Sequence, residues 1–342
     1  MSSITIYWLA FIAIFAVVYA IDLSLTSLKG STLSLRSSLS WTAVWVSVAL
    51  LFGLSLALLF PLDSGSTVRT GPVMASKFIA GYFTEYSLSV DNLFVFILIF
   101  SMMGIKANNQ PKLLKLGILI SIALRILFII AGMELVEKFH WLIYIFGLLL
   151  IWTAYKMAFS KEEESVNPES NILYKSASKL FPVDPNVHSP HFFTRKDDKI
   201  LITNLFLTLL VIGSTDILFA VDSIPAIIGV IKEGSNSILT PSEENFIAIS
   251  SNLFAVMGLV SLFFALKGVM SMFKYLKTGV SVILLFIGAK MISSAFGGIS
   301  NFFAQHSWFS LIVIIAILIA SILMSIIITE KSRSREAAKY RS

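Results

Sequence analysis

Cysteine is absent from the 342 residues, so the chain brings no thiolate to a metal, no thiol nucleophile and no disulfide. Charge is also scarce: Asp, Glu, Lys and Arg make up 13% of the sequence, against about a quarter in a soluble domain. Histidine occurs four times, with no zinc-motif spacing, and neither a Walker A loop nor a nucleophile elbow is found. Any metal bound here must therefore be held mainly by oxygen. Nothing in the chain supplies a reaction to write, so an enzyme is not expected and no cofactor is implied.

What is abundant is apolar: 56% of residues are hydrophobic and mean hydropathy is +0.86. A spanning helix needs about 20 apolar residues. Candidate spans fall near 4–24, 41–60, 73–101, 113–133, 139–159, 200–231, 245–266, 275–296 and 308–329. The fold class is an all-α polytopic membrane protein with about nine transmembrane helices in a lipid bilayer.

The distribution of Lys and Arg orients it. With nine spans, 19 of the 26 basic residues share the side of the C-terminal tail, and only Arg69, Lys77, Lys138 and Lys232 lie opposite. The positive-inside rule then puts the N-terminus outside and the C-terminus in the cytoplasm. Arg125, Lys156 and Lys290 remain within spans, the two lysines near enough to helix ends to reach the interface. The net charge of +6 is accounted for by the anionic cytoplasmic leaflet, and nucleic acid is not an expected partner. The first span has no basic stretch before it and Lys29 and Arg36 after it, as in an uncleaved helix rather than a signal peptide.

Two spans carry acids. Glu85 and Asp91 lie six residues apart in the third, Asp216 and Asp222 six apart in the sixth. An ionised carboxylate at the bilayer centre costs roughly 2.5–3.5 kcal/mol on insertion scales, so matched pairs point to an ion or proton path.

The motifs around them repeat: Ser89-Val90-Asp91-Asn92-Leu93 and Ala220-Val221-Asp222-Ser223-Ile224 are offset by 131, and Phe139 and Lys156-Met157 recur at 134 as Phe273 and Lys290-Met291. Because each copy has an odd number of spans, the second enters from the opposite side. The expected organisation is two N-terminal spans (1–69), a three-helix repeat (70–159), a cytoplasmic linker of partial order (160–199), an inverted three-helix repeat (200–297), and a last span with a basic tail (298–342). His188 and His191 in the linker read as solvated surface.

Six residues on a helix turn a side chain about 120° away, so Glu85 and Asp91 cannot share an ion from a straight span, whereas Asn92 returns to the Glu85 face. The sixth span, with Gly213 and Pro225, is long enough to predict a broken or strongly tilted helix whose unwound backbone adds carbonyl ligands. With Ser89, Asn92, Ser223 and Asn252, the carboxylates form an oxygen set suited alike to Mg²⁺, Ca²⁺ and Mn²⁺. Arg125 reads as the charge balancer of this cavity; alternatively the acids pair with it only to hold helices together.

The residues Glu85-Tyr86-Ser87-Leu88-Ser89-Val90-Asp91-Asn92-Leu93-Phe94-Val95-Phe96 and Ser214-Thr215-Asp216-Ile217-Leu218-Phe219-Ala220-Val221-Asp222-Ser223-Ile224-Pro225-Ala226-Ile227 closely resemble the motifs of the TerC/Alx family of bacterial membrane proteins. The likeness extends through Leu124-Arg125, Phe139-His140-Trp141, Ser251-Asn252-Leu253-Phe254-Ala255 and Gly288-Ala289-Lys290-Met291. The resemblance implies metal homeostasis in the bacterial inner membrane, with manganese export the leading assignment beside an older link to tellurium resistance. It marks Glu85, Asp91, Asp216 and Asp222 as the family's acids.

Gly213 stands where many members have an acid, and Val260, the counterpart of Arg125, where many have an arginine. The expected function is a secondary transporter exporting a divalent cation, manganese favoured, with a proton as counter-ion. Ca²⁺ or Mg²⁺ transport through the same site, or a non-transporting scaffold or insertion factor, are the alternatives. The sequence carries no signal of oligomeric state.

Overall fold

The computed structural model describes residues 3–27, 34–60, 70–159, 171–184, 186, 189–196, 199–232, 239–269, 276–293, 302 and 307–339. The helices within them are α1 (Ser3–Ser27), α2 (Leu35–Leu59), α3 (Thr70–Met102), α4 (Gln110–Lys138), α5 (Leu142–Phe159), α6 (Ile172–Leu180), α7 (Asn204–Lys232), α8 (Pro241–Val256), α9 (Leu259–Val269), α10 (Leu276–Ser293) and α11 (Ser307–Lys339). A hairpin of β1 (Phe193–Lys196) and β2 (Lys199–Ile202) precedes α7. Lipid offers no partner for backbone polar groups, so the apolar segments fold as helices.

Each expected span meets one of these elements. Six pass on length and composition, the seventh corresponds to α8 and α9 as a bent pair, and the last two to the shorter apolar stretches Thr278–Ser293 and Phe309–Ser325.

Where the spans bend differs from expectation. The sixth span is one uninterrupted helix, α7, which carries Pro225 inside it and begins at Asn204, because residues 199–202 belong to β2. Its 29 residues reach about 44 Å. Residue 225 lies in the last third of α7, where packing neighbours can re-satisfy the freed backbone. The break lies in the seventh span: α8 and α9 meet at 41° across Met257-Gly258.

Gly258 has φ +78°, and a Cβ there would lie 2.1 Å from Cδ1 of Trp45, so the bend needs glycine twice over. Gly258→Ala is expected to lower the melting temperature in detergent, since left-handed backbone alone costs a residue with a side chain about 1–2 kcal/mol. An unchanged transition would show that Trp45 yields freely.

Helix directions follow from which ends meet. The start of α3 touches the end of α7, through Lys77 and the carbonyls of Val230 and Ile231, and the end of α3 touches the start of α7, through Asn204 and the carbonyl of Met103. α3 and α7 are therefore antiparallel. α5 and α10 pack closely, with Gly147 and Gly288 so near that a Cβ on either would fall within 3 Å of the other's carbonyl oxygen. Small residues at such crossings let backbones approach.

α3 also packs on α8, and α7 on α4. Gly81 of α3 abuts Ser251 of α8, and Gly117 of α4 abuts Ile212 of α7. Shifted by the offsets 131 and 134, the pair 81/251 becomes the pair 212/117.

Part of the segment 160–199 lies within the described residues. Asn171 caps α6, and Phe193 packs on Phe206 of α7. Lys112 of α4 donates to the carbonyl of Pro190, which ties this segment to both repeats. Asp184 accepts from the Asn186 backbone and the Thr194 hydroxyl, which hold its carboxyl below the usual range. His191 is exposed, and His188 lies outside the described residues. Lys156 is exposed and lies over the Trp152 ring, as an interfacial anchor would. Lys290 instead is buried, because α10 lies packed among α5, α7, α3 and α11.

Candidate functional site

Four helices meet at the buried carboxylates. Glu85 on α3 is 1% exposed, Asp216 on α7 3% and Arg125 on α4 2%. The Arg125 guanidinium forms an ion pair with Glu85 through Nη1, and Nη2 lies 3.8 Å from Oδ1 of Asp216. One arginine thus lies against both Glu85 and Asp216, two acids 131 residues apart in sequence.

Glu85 is fully engaged. Its Oε1 also accepts from the Ser89 hydroxyl at 3.1 Å, and Oε2 accepts from Nδ2 of Asn252 on α8 at 2.8 Å. In contrast, Asp216 Oδ2 is buried without a hydrogen-bond partner, and so is Oδ1 of Asn252. Two strong acceptors without donors inside a membrane bundle are costly unless a cation, a proton or water reaches them.

Further buried hydroxyls lie on α3, α7 and α8. The hydroxyls of Thr84, Ser87, Ser223 and Ser250 have no partner. Elsewhere helix hydroxyls bond back to the preceding turn, as Ser76, Thr208 and Thr215 do to Val73, Asn204 and Val211. The hydroxyls of Thr84, Ser87, Ser223 and Ser250 lack that bond, as do those of Ser38, Thr42, Ser261 and Ser310. Asn92 is half-buried on α3.

The side chains of Asp91 and Asp222 lie outside the described part of the structure, although both positions are helical. Among the described residues no three His, Asp or Glu side chains gather as a metal cluster. The described set therefore consists of one carboxylate with a free oxygen, one carboxylate neutralised by arginine, and several neutral oxygens.

Sequence reading missed Ser121, whose hydroxyl accepts from Arg125 Nε at 3.0 Å and fixes the guanidinium plane. Its spacing of four residues before Arg125 on one helix was the available signal. Thr84, Ser87 and Ser250 gave no signal of their own, since serine and threonine are common in helices that merely bond back.

Gly213 lies one turn before Asp216, with only Ile120 Cγ2, at 3.9 Å, near the place of a Cβ. Val260 is buried at the α8–α9 bend. The missing acid and base of the second repeat thus leave this network with Arg125 alone as its described cation.

The family description "Integral membrane protein TerC family" matches residues 70–333, which run from the first residue of α3 into α11. The chain belongs to that family. TerC-type relatives cover most of its length. It is 39% identical over 330 residues to "Uncharacterized membrane protein STKORF319" of Myxococcus xanthus, covering 96% of this chain and 95% of the relative. It is 35% identical over 286 residues to "Putative membrane-bound redox modulator Alx" of Escherichia coli strain K12, covering 83% and 85%. A Rickettsia bellii membrane protein is 31% identical over 320 residues, covering 94% and 97%. No solved structure matches significantly.

Proposed function

We propose that this TerC-family protein is a secondary transporter that exports a divalent cation, manganese in first place, in exchange for protons. The observation that carries this reading is Asp216 Oδ2, a buried carboxylate oxygen without a partner beside an arginine already engaged by Glu85. A hard cation suits an oxygen set made of Asp91 and Asp222, the ligands assigned from sequence, completed by Asp216 Oδ2, Asn92 and Asn252 Oδ1, the last a buried acceptor without a partner. In this role Glu85 and Arg125 form the charged floor of the site, and Asp216 takes the ion.

Antiparallel α3 and α7, and the exchange of the 81/251 and 212/117 contacts, support inverted repeats whose rocking would expose the site alternately. Export against an inside-negative potential costs about 4.6 kcal/mol per divalent ion at 100 mV. Proton entry supplies that energy if carboxylates swap metal for proton. The reading places the protein in a bacterial plasma membrane, N-terminus outside and C-terminus cytoplasmic, without enzymatic activity or resident cofactor.

The relatives' name as redox modulators does not transfer as thiol chemistry, since these 342 residues hold no cysteine. A redox phenotype would follow indirectly, from the level of a redox-active metal.

The test is total manganese, by elemental analysis, in an exporter-deficient bacterium expressing wild type or Asp91→Asn at matched membrane levels. Lower manganese with wild type alone is the expected result. Equal manganese in the two strains would overturn export through this site.

A further inference from the structure

At the end of the bundle where α3 begins, α7 stops and α8 starts, four charged side chains are buried: Lys77, Lys232, Glu243 and Glu244. Lys77 Nζ donates to the carbonyls of Val230 at 3.2 Å and Ile231 at 2.8 Å, in the last turn of α7. Lys232 Nζ pairs with Glu244 Oε2 at 2.7 Å. Glu243 closes a capping box with Thr240 at the start of α8. The four charges cancel.

Cations at the end of α7 and anions at the start of α8 complement the helix dipoles. That accounts for their signs and not for their burial, because side chains at helix ends can remain in water. A buried ion pair is also often no more stabilising than apolar side chains of the same volume. The opposite end of the same interface is closed by Asn204 on the Met103 carbonyl at 2.6 Å and Lys267 on Gln110 Oε1 at 2.9 Å.

The charged clasp and the acid network share one interface. Lys77, Gly81 and Glu85 follow at intervals of four along α3, and so lie near one face. Gly81, midway, abuts Ile227 of α7 and Ser251 of α8. Ser251 is fully buried and adjoins the Glu85–Asn252 contact, about two turns along α8 from Glu244.

We propose that Lys77, Lys232 and Glu244 form the gate at this end of the cation path. Lys232 holds the Glu244 carboxylate while no metal is present. A divalent cation arriving from Asp216 displaces the ammonium from that carboxylate, α7 parts from α8, and the ion leaves. Lys77, fixed to the last carbonyls of α7, carries this movement to α3 in the other repeat. The gate rests on the transport reading, and its test separates the two.

The chain has no native cysteine, so Ser251→Cys is a sole-thiol reporter placed behind the gate. In vesicles of each orientation, a membrane-impermeant maleimide should label it slowly from both sides. Adding Lys232→Met or Glu244→Gln should speed labelling about tenfold or more, from the side of the α7–α8 connection only. The swap Lys232→Glu/Glu244→Lys should restore protection, which also covers the case of single variants that fail to fold.

Mn²⁺ binding to the same purified proteins is measured in parallel. Retained binding with unchanged labelling in all variants would overturn the gate and leave the cation site standing. Faster labelling in proteins that bind no Mn²⁺, wild type included, would keep the gate and sink the cation reading.

Discussion

Arg125→Met is expected to remove most of the folded protein from the membrane. The substitution leaves Glu85 and Asp216 buried with no cation, and breaking a buried pair by deleting one partner costs about 3–5 kcal/mol. Against a total stability of about 5–15 kcal/mol, that loss should show as reduced abundance and early aggregation on size-exclusion chromatography. Glu85→Gln/Arg125→Met deletes one charge of each sign and should recover much of the loss, because the Gln carbonyl oxygen can still accept from Asn252 while its NH2 donates to the Ser89 hydroxyl. Wild-type abundance of the single variant would mean that the buried acids are neutralised by protons rather than by the guanidinium.

Asp216→Asn is expected to do the reverse: normal abundance and lost metal. Its contact with Arg125 is long, at 3.8 Å, and the arginine keeps its close partner Glu85, so the remaining pair is neutral. What disappears is the charged oxygen without a partner. Deleting one member of a desolvated charge pair costs about 2–5 kcal/mol, a drop of roughly 30-fold or more in Mn²⁺ affinity, measurable by equilibrium dialysis of the purified protein. Unaltered affinity would move the site to Asp91 and Asp222. The two variants together separate the network's scaffolding role from its ligand role, since a pure scaffold predicts that both fall or survive together.

Much was legible in the residues themselves. Apolar run lengths placed the spans, because a bilayer of fixed thickness imposes a fixed helix length. The scarcity of charge made four intramembrane acids and Arg125 conspicuous, and their spacing separated Glu85 from Asp91 on a straight helix. In α3, Glu85 turns to Arg125 and Asn252. Span order alone, third against sixth, required α3 and α7 to run in opposite directions.

The tertiary structure decided the rest. Of the broken or strongly tilted sixth span that Pro225, Gly213 and its length suggested, the broken form is absent, since α7 is continuous. The break falls at Gly258 instead, where left-handed backbone and the Trp45 ring leave room for no side chain. Glycine content cannot reveal that, because φ and the neighbour across the gap are set by packing. Lys290 is buried rather than extended to the interface, since the helices around α10 cover it. The division of labour between two similar acids was likewise invisible: Glu85 is saturated by Arg125, Ser89 and Asn252, while Asp216 keeps an oxygen free. Which residues can lie in lipid is a property of each segment and is written in the sequence. Which acid meets the arginine depends on four helices arriving at one place, and only the packed bundle fixes it.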